Sequence, residues 1–259
     1  MREITPRVYG RRIRPTAPRL TRVTRRLPLF PLRTVLYPGL VLPLHIFEER
    51  YRTLVQQLIE APAGSREFGV VAIREGREVG AENISGLDAL HPVGCAAALR
   101  EVEPYPDGRY DITVVGTRRF RLRSLDLSES LWEGDVEDLE DVDGADHGGL
   151  AALSMSVVRG FSRYRAALQG APEDPEDLAL LQADDEGVDL AATDPGVLSY
   201  AVAAAMILEL PEKQELLAAA DTAERLRTER RLLTREHAVI RVIPSLPAVE
   251  AGQVTVSPN

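Results

Sequence analysis

Residues 27–51 hold four prolines among leucines, valines and aromatic side chains, and this spacing constrains the fold more than any other feature. A proline removes a backbone donor and pushes the residue before it towards extended conformations, so a long helix cannot form here. Arg33 and His45 also interrupt the apolar run, which excludes a membrane-spanning helix. Pro38 and Gly39 instead predict a type II turn between two short strands.

Strand patterns continue beyond that turn. A Pro-Asp-Gly sequence at residues 106–108 separates two extended runs, which predicts a β-hairpin. In the second run Tyr110, Ile112 and Val114 alternate with polar residues, as expected of a strand with one buried face. Gly116 interrupts this run and predicts a bulge or bend at which the sheet curls.

From residue 145 onwards the patterns are helical. Asp194 and Pro195 predict the N-cap and the first residue of a helix. Asp221 and Glu224 have the spacing of a capping box. Apolar residues at helical spacing form two stripes, which predicts a bundle with a buried core. The stripes are Leu198, Val202, Met206 and Leu210 in one helix, and Leu226, Leu233 and Ile240 with Leu232, Val239 and Ile243 beside them in another.

Together these patterns predict an α+β fold in four parts. The parts are a basic, disordered leader at residues 1–26, a β domain at 27–144, a helical bundle at 145–243 and a tail at 244–259. The leader holds nine arginines against one acid, whereas the rest of the chain holds 22 basic against 39 acidic side chains. Phosphate neutralisation supplies most non-specific affinity for nucleic acid, so such an acidic body is a poor nucleic-acid binder. Contact of the leader with RNA or with an acidic partner stays open as an alternative.

The cellular compartment follows from cysteine usage and from the absence of long apolar runs. Cys95 is the single cysteine, so it cannot form an intramolecular disulfide. Its small apolar neighbours predict a buried strand residue rather than a nucleophile. The N-terminus lacks the apolar core of a signal peptide. A cytoplasmic protein is therefore expected.

Catalytic and metal-binding motifs have little support in the sequence. Lys213 is the only lysine, so a phosphate-binding loop and most Ser–Lys dyads are excluded. No serine lies in a G-x-S-x-G elbow, and the four histidines are far apart in sequence. The acidic residues between 135 and 143 could hold a cation loosely, but a solvated strand face explains them better. We expect no cofactor, no metal and no catalysis.

Two groups of residues resemble a known family. They are "LPLFPL" leading to "YPGLVLPLHIFE", and the Val93-Gly94 pair leading through the Pro-Asp-Gly turn to "VVGTRRFR". Over residues 27–243 the chain resembles the N-terminal, substrate-binding domain of the Lon ATP-dependent protease family. This resemblance implies a PUA-like β pseudo-barrel followed by a helical bundle. It also implies a role in holding unfolded or degron-bearing polypeptide rather than cutting it. The chain departs from full Lon proteases in stopping where their AAA+ ATPase and Ser–Lys peptidase domains would begin, so we expect no hydrolysis.

The site that would hold such a client is expected beside the Pro38–Gly39 turn. Leucines such as Leu29, Leu32, Leu42 and Leu44 are expected in the core. Exposed apolar residues that flank a turn commonly mark interaction sites. The polypeptide-binding candidates are Leu36, Tyr37, Val41 and Phe47.

Three functions stay open at this point. The first is a non-catalytic polypeptide-binding module, acting as an adaptor or chaperone-like holder, with a separate protease as a potential partner. The second is an RNA-binding protein, since PUA-like barrels elsewhere bind RNA and four arginines form a local basic strand edge. These are Arg118, Arg119, Arg121 and Arg123. The third, least supported, is a hydrolase whose catalytic residues come together only in space.

Overall fold

A computed structural model of the chain describes residues 24–74, 86–170 and 193–242. Within these residues six strands and one α-helix come first, followed by four α-helices. The strands are β1 (Thr24–Leu32), β2 (Val41–Ile46), β3 (Glu67–Ala72), β4 (Val93–Pro104), β5 (Tyr110–Leu122) and β6 (Glu133–Asp138). The helices are α1 (Glu49–Glu60), α2 (His147–Gln169), α3 (Pro195–Ala205), α4 (Leu210–Ala218) and α5 (Thr222–Val242). Most of the predicted leader, the tail and Ile243 lie outside the described residues.

Five of the strands close into a barrel. They are hydrogen-bonded in the order β5, β4, β3, β1 and β6, and β6 returns to pair with β5. The β1–β3 pair is parallel, and the other pairs are antiparallel. β2 lies outside the barrel, on β5. The predicted α+β fold, a small β barrel followed by helices, is confirmed. One boundary differs, because β1 begins at Thr24, inside the stretch predicted as leader.

Both predicted turns are present. Leu40 N donates to Tyr37 O at 3.2 Å, and Gly39 has φ of +80°, as the third residue of a type II turn requires. In the hairpin, Gly108 has φ of +83° between β4 and β5. Positive φ is strained for side-chain-bearing residues, so glycine is required at both positions.

The predicted irregularity at Gly116 is confirmed. Cys95 pairs with Arg119 and Ala97 with Gly116, so β5 carries one extra residue between these two pairs. Such a bulge bends a strand and increases its twist, which helps the barrel close. Gly116 also allows close approach, because a Cβ added there would lie 2.2 Å from the main-chain oxygen of Tyr37.

Apolar side chains of the described residues form three cores. One fills the barrel and includes Leu29, Phe120, Leu122, Trp132 and Val136. A second lies between α1 and the sheet and includes Phe30, Leu36, Tyr51, Leu54 and Phe68. The third fills the helical bundle and includes Val157, Phe161, Leu198, Leu226 and Leu233.

The predicted N-cap at Asp194 is confirmed, the predicted capping box at Asp221 and Glu224 is half formed, and one helix is shorter than expected. Asp194 Oδ1 accepts hydrogen bonds from Gly196 N and Val197 N. In the second cap Asp221 Oδ1 accepts from Glu224 N at 2.7 Å, whereas the Glu224 carboxylate accepts from the preceding residue, Ala220. α3 ends at Ala205, not at Leu210.

The predicted bundle stripes are only partly buried. Leu198, Val202 and Met206 are buried, whereas Leu210, half-buried, begins α4. In α5 the buried face covers Leu226, Leu232 and Leu233. The end of this helix is more exposed, with Ile240 half-buried and Val239 46% exposed.

A buried arginine joins the barrel to the bundle. Arg119 lies on β5 and is 1% exposed. Its Nη1 donates to Leu217 O at 2.9 Å and to Ala219 O at 2.6 Å, at the C-terminal end of α4. Its Nη2 lies 2.7 Å from Asp141 Oδ1. Because the carbonyl end of a helix is its negative end, this cation suits its position. None of the described helices is long and apolar enough to cross a membrane.

Candidate functional site

β2 presents a free backbone edge. Among the described strands it pairs with β5 alone. Gly116 N donates to Leu40 O, and antiparallel pairing alternates, so Leu42, Leu44 and Ile46 bond to β5. The backbone groups of Val41, Pro43 and His45 therefore point away from β5. Pro43 has no N–H to lose at such a position, which explains why a proline is tolerated within this strand.

An open groove lies between the end of β1 and the end of β2. We call it the apolar groove; its volume is about 370 Å³. Its walls are residues 30–33 and 44–48, with Tyr51 of α1 and Ile73 completing the lining. The rings of Phe30 and Tyr51 stack with centroids 3.9 Å apart and give one wall a flat aromatic surface.

Phe47 projects at the rim of this groove. It follows β2 directly and is 62% exposed, although it is a large apolar side chain. The ring of His45 lies 6.2 Å from the Phe47 ring, centroid to centroid. Exposed aromatic side chains beside an apolar groove are typical of interaction sites.

Hydrogen bonds from the β4–β5 hairpin fix the orientation of His45. Its Nδ1 donates to Asp111 Oδ1 at 2.6 Å, and Tyr105 Oη donates to Asp111 Oδ2 at 2.6 Å. The bond from Tyr105, and then that from His45, holds the pKa of Asp111 below its usual range. His45 Nε2 faces the Arg109 guanidinium at 3.4 Å, rather than a serine hydroxyl, so this His–Asp pair is not part of a catalytic triad.

A second groove adjoins the first. We call it the polar groove; its volume is about 620 Å³, and it shares Glu48 with the apolar groove. Its other lining residues are Glu49, Arg50, Thr53, Glu129, Ser130 and Trp132. Arg50 Nε lies 3.4 Å from Glu48 Oε2, and its guanidinium is 5.8 Å from the centroid of the Trp132 ring.

Of the four predicted site residues, two are buried and two are exposed. The expectation that Leu36 and Tyr37 are exposed is wrong, because they are only 4% and 2% exposed. Leu36 packs in the core beneath α1. Tyr37 Oη donates to Lys213 O at 2.9 Å, and burial raises the pKa of this tyrosine. The bundle therefore covers Tyr37, and helix α1 covers Leu36.

Val41 and Phe47 are exposed as expected, at 62% each. They lie at opposite ends of β2, about 20 Å apart at the usual rise per strand residue. Only Phe47 lines the apolar groove. Binding through either residue stays a prediction.

Sequence reasoning missed the other wall of the groove. Residues 30–33 and Ile73 join it through the parallel β1–β3 pair, which no local pattern indicates. Leu29 is buried as expected. Leu32, Leu42 and Leu44 are only half-buried, and Leu32 and Leu44 line the groove.

The arginines that favoured RNA binding have other partners. Arg118 donates to Glu67 at 2.7 Å and to Asp138 at 2.9 Å, and Arg123 pairs with Glu137. Arg119 is buried against the bundle. These three arginines therefore do not form a free basic strand edge, because carboxylates of neighbouring strands and helix carbonyls bind them.

Cys95 lies in the core, as predicted. It is 0% exposed, and burial raises the pKa of its thiol to about 12. Because the thiolate is the nucleophilic form, this cysteine is inert in the folded chain.

Comparison with known proteins agrees with this architecture. The family described as "ATP-dependent protease La (LON) substrate-binding domain" matches residues 26–235. The chain belongs to the LON substrate-binding domain family. This LON domain is similar to "Lon protease 2" of Syntrophobacter fumaroxidans, with 30% identity over 82% of the chain and 24% of that protein. It is 28% identical to "Lon protease" of Trichlorobacter lovleyi, over 85% of the chain and 25% of that protein. The chain thus spans about a quarter of the length of these relatives.

Solved structures show the same fold. The Lon N-terminal domain protein from Xanthomonas campestris matches with a TM-score of 0.52 and 25% identity, over 81% of this chain and 98% of that one. The N-terminal domain of Mycobacterium avium complex Lon protease matches with a TM-score of 0.57 and 19% identity, over 83% and 98%. The second likeness is one of fold alone.

Proposed function

We propose that this LON domain binds unfolded or degron-bearing polypeptide without cutting it, and that the apolar groove is the binding site. The observation that carries the proposal is the juxtaposition of an apolar groove, the exposed ring of Phe47 and the free edge of β2. In this role the chain acts in the cytoplasm as an adaptor or chaperone-like holder, and a separate protease receives the client.

Two kinds of contact support binding of an extended client. The free edge of β2 offers backbone groups to which a client strand can hydrogen-bond, a mode that is independent of sequence. The groove and Phe47 offer apolar surface to the client's side chains, and burial of that surface drives association. Unfolded chains expose both backbone and apolar side chains, whereas folded proteins expose little of either.

Phe47→Ser tests the site directly. Binding of a fluorescently labelled, permanently unfolded casein would be measured by anisotropy. Losing part of one buried phenyl ring is expected to weaken binding about five-fold. Ile207→Ser is the matched control, because Ile207 is 69% exposed and lies in the bundle, outside both grooves. Equal loss of binding in the two variants would refute the apolar groove as the site.

A further inference from the structure

The polar groove concerns the selectivity of the LON domain for particular polypeptide segments. Its role rests on the proposed function of the apolar groove. The two grooves meet at Glu48, so a segment seated in the apolar groove continues into the polar groove. The side chains of that continuation would meet Glu49, Glu129 and Trp132.

Arg50 shows how a cation is held in this groove. Its guanidinium lies 5.8 Å from the centroid of the Trp132 ring and 5.9 Å from that of Tyr51. Its Nε also pairs with the Glu48 carboxylate at 3.4 Å. An aromatic face and a carboxylate together bind a cationic side chain more strongly than either does alone.

Two further carboxylates in the groove lack a cation. Glu49 and Glu129 are exposed, and neither forms an ion pair with another of the described residues. Arg50 is already engaged by Glu48, so the groove retains an excess of negative charge. The chain as a whole is also acidic, with a formal net charge of −9. Its long-range field attracts basic segments and repels acidic ones.

We infer that this LON domain selects extended segments in which a bulky apolar residue is followed, within a few residues, by arginine or lysine. The apolar side chain occupies the apolar groove, and the cation lies between the exposed carboxylates of Glu49 and Glu129. An acidic residue at the second position is rejected, because it would face three carboxylates across a short distance.

Three labelled peptides test the inference. They share one apolar centre and differ in carrying arginine, glutamine or glutamate next to it. At about 0.05 M salt the arginine peptide is expected to bind about ten-fold more tightly than the glutamate peptide. This ratio is expected to shrink at about 0.5 M salt, where exposed charges are screened.

The double variant Glu49→Gln/Glu129→Gln tests whether these two carboxylates cause the preference for the arginine peptide. The ratio between arginine and glutamate peptides should fall to about two-fold in this variant, since only the Glu48 carboxylate remains. The control is Glu60→Gln/Glu101→Gln, which changes the net charge equally at two exposed glutamates outside the groove. This control should keep the full ratio.

The outcomes separate the two proposals. Binding of all three peptides with equal affinity, or a ratio that survives in Glu49→Gln/Glu129→Gln, would overturn the charge preference and leave the apolar groove as the site. Failure of the uncharged glutamine peptide to bind would count against the proposed function itself.

Discussion

Tyr37 Oη donates a 2.9 Å hydrogen bond to the main-chain oxygen of Lys213, so the turn before β2 is fastened to helix α4. The ring of Tyr37 also lies 6.0 Å from that of Tyr200 of α3, centroid to centroid. One of the four predicted polypeptide-binding residues is thus part of the contact between barrel and bundle.

Substitution of Tyr37 should therefore change stability rather than binding. Tyr37→Phe leaves Lys213 O without its donor and is expected to lower the free energy of unfolding by about 1 kcal/mol. Tyr37→Ser also leaves a cavity and should cost about 3 kcal/mol. Urea unfolding measures both. A Tyr37→Ser protein with unchanged stability and weakened casein binding would contradict this prediction and show that Tyr37 contributes to client binding.

Arg119 should control the cooperativity of unfolding. Arg119→Met removes the donors to Leu217 O and Ala219 O, and is expected to cost about 3 kcal/mol. The single tryptophan, Trp132, lies in the barrel core, whereas far-UV circular dichroism reports mostly on the bundle helices. Tryptophan fluorescence and far-UV circular dichroism should therefore report one shared unfolding transition in the parent protein and two separate transitions in the variant. Arg118→Met is the control, because the Arg118 side chain is 41% exposed and its ion pairs, with Glu67 and Asp138, lie within the sheet. Two separate transitions in this control too would contradict a special role for Arg119.

Glu229 should make stability depend on pH. This α5 residue is 0% exposed, and burial raises the pKa of its carboxyl well above the usual value, against the opposing effect of Arg225. Both the folded and unfolded states are protonated below about pH 4.5. Above it the unfolded state loses the proton first, so folding is disfavoured by up to about 1.4 kcal/mol per pH unit until the folded state also ionises.

Glu229→Gln removes this dependence. The variant should gain stability relative to the parent between pH 5 and pH 7, as measured by urea unfolding at both pH values. Glu60→Gln, at an exposed position, should show no such gain. A Glu229→Gln protein that is less stable than the parent by the same amount at both pH values would show that the carboxyl is ionised and paired in the fold.

Proline substitutions in β2 should distinguish its two edges. Val41→Pro removes an N–H from the free edge, so it should leave stability within about 1 kcal/mol but weaken client binding if a client strand pairs there. Leu42→Pro removes a donor that faces β5 and should destabilise the fold by about 3 kcal/mol. Unaltered casein binding by Val41→Pro would exclude strand addition at this edge and leave side-chain contacts in the apolar groove.

The turns and caps could be predicted from the sequence because their determinants are local. Gly39, Gly108 and Asp194 each act on backbone within a few residues. Tyr37 could not be placed in this way, since its partner Lys213 is 176 residues away. The apolar groove could not be predicted fully for the same reason, because residues distant in sequence form its two walls. Only the β2 wall has a local sequence pattern, which is an aromatic residue directly after an edge strand. The β1 wall of the apolar groove and the position of Trp132 in the polar groove depend on barrel closure.

The loop between β1 and β2 begins at Arg33 in the apolar groove, passes Tyr37 beneath the bundle and returns to the strand that ends at Phe47. Both walls of the groove are therefore tied to the helices through one short loop. A fragment truncated after the barrel would lose Lys213 and uncover Tyr37, so the loop that joins the two walls would lose its contact with the bundle. A piece of this chain that keeps the hydrogen bond from Tyr37 to Lys213 must extend from β1 at least to α4.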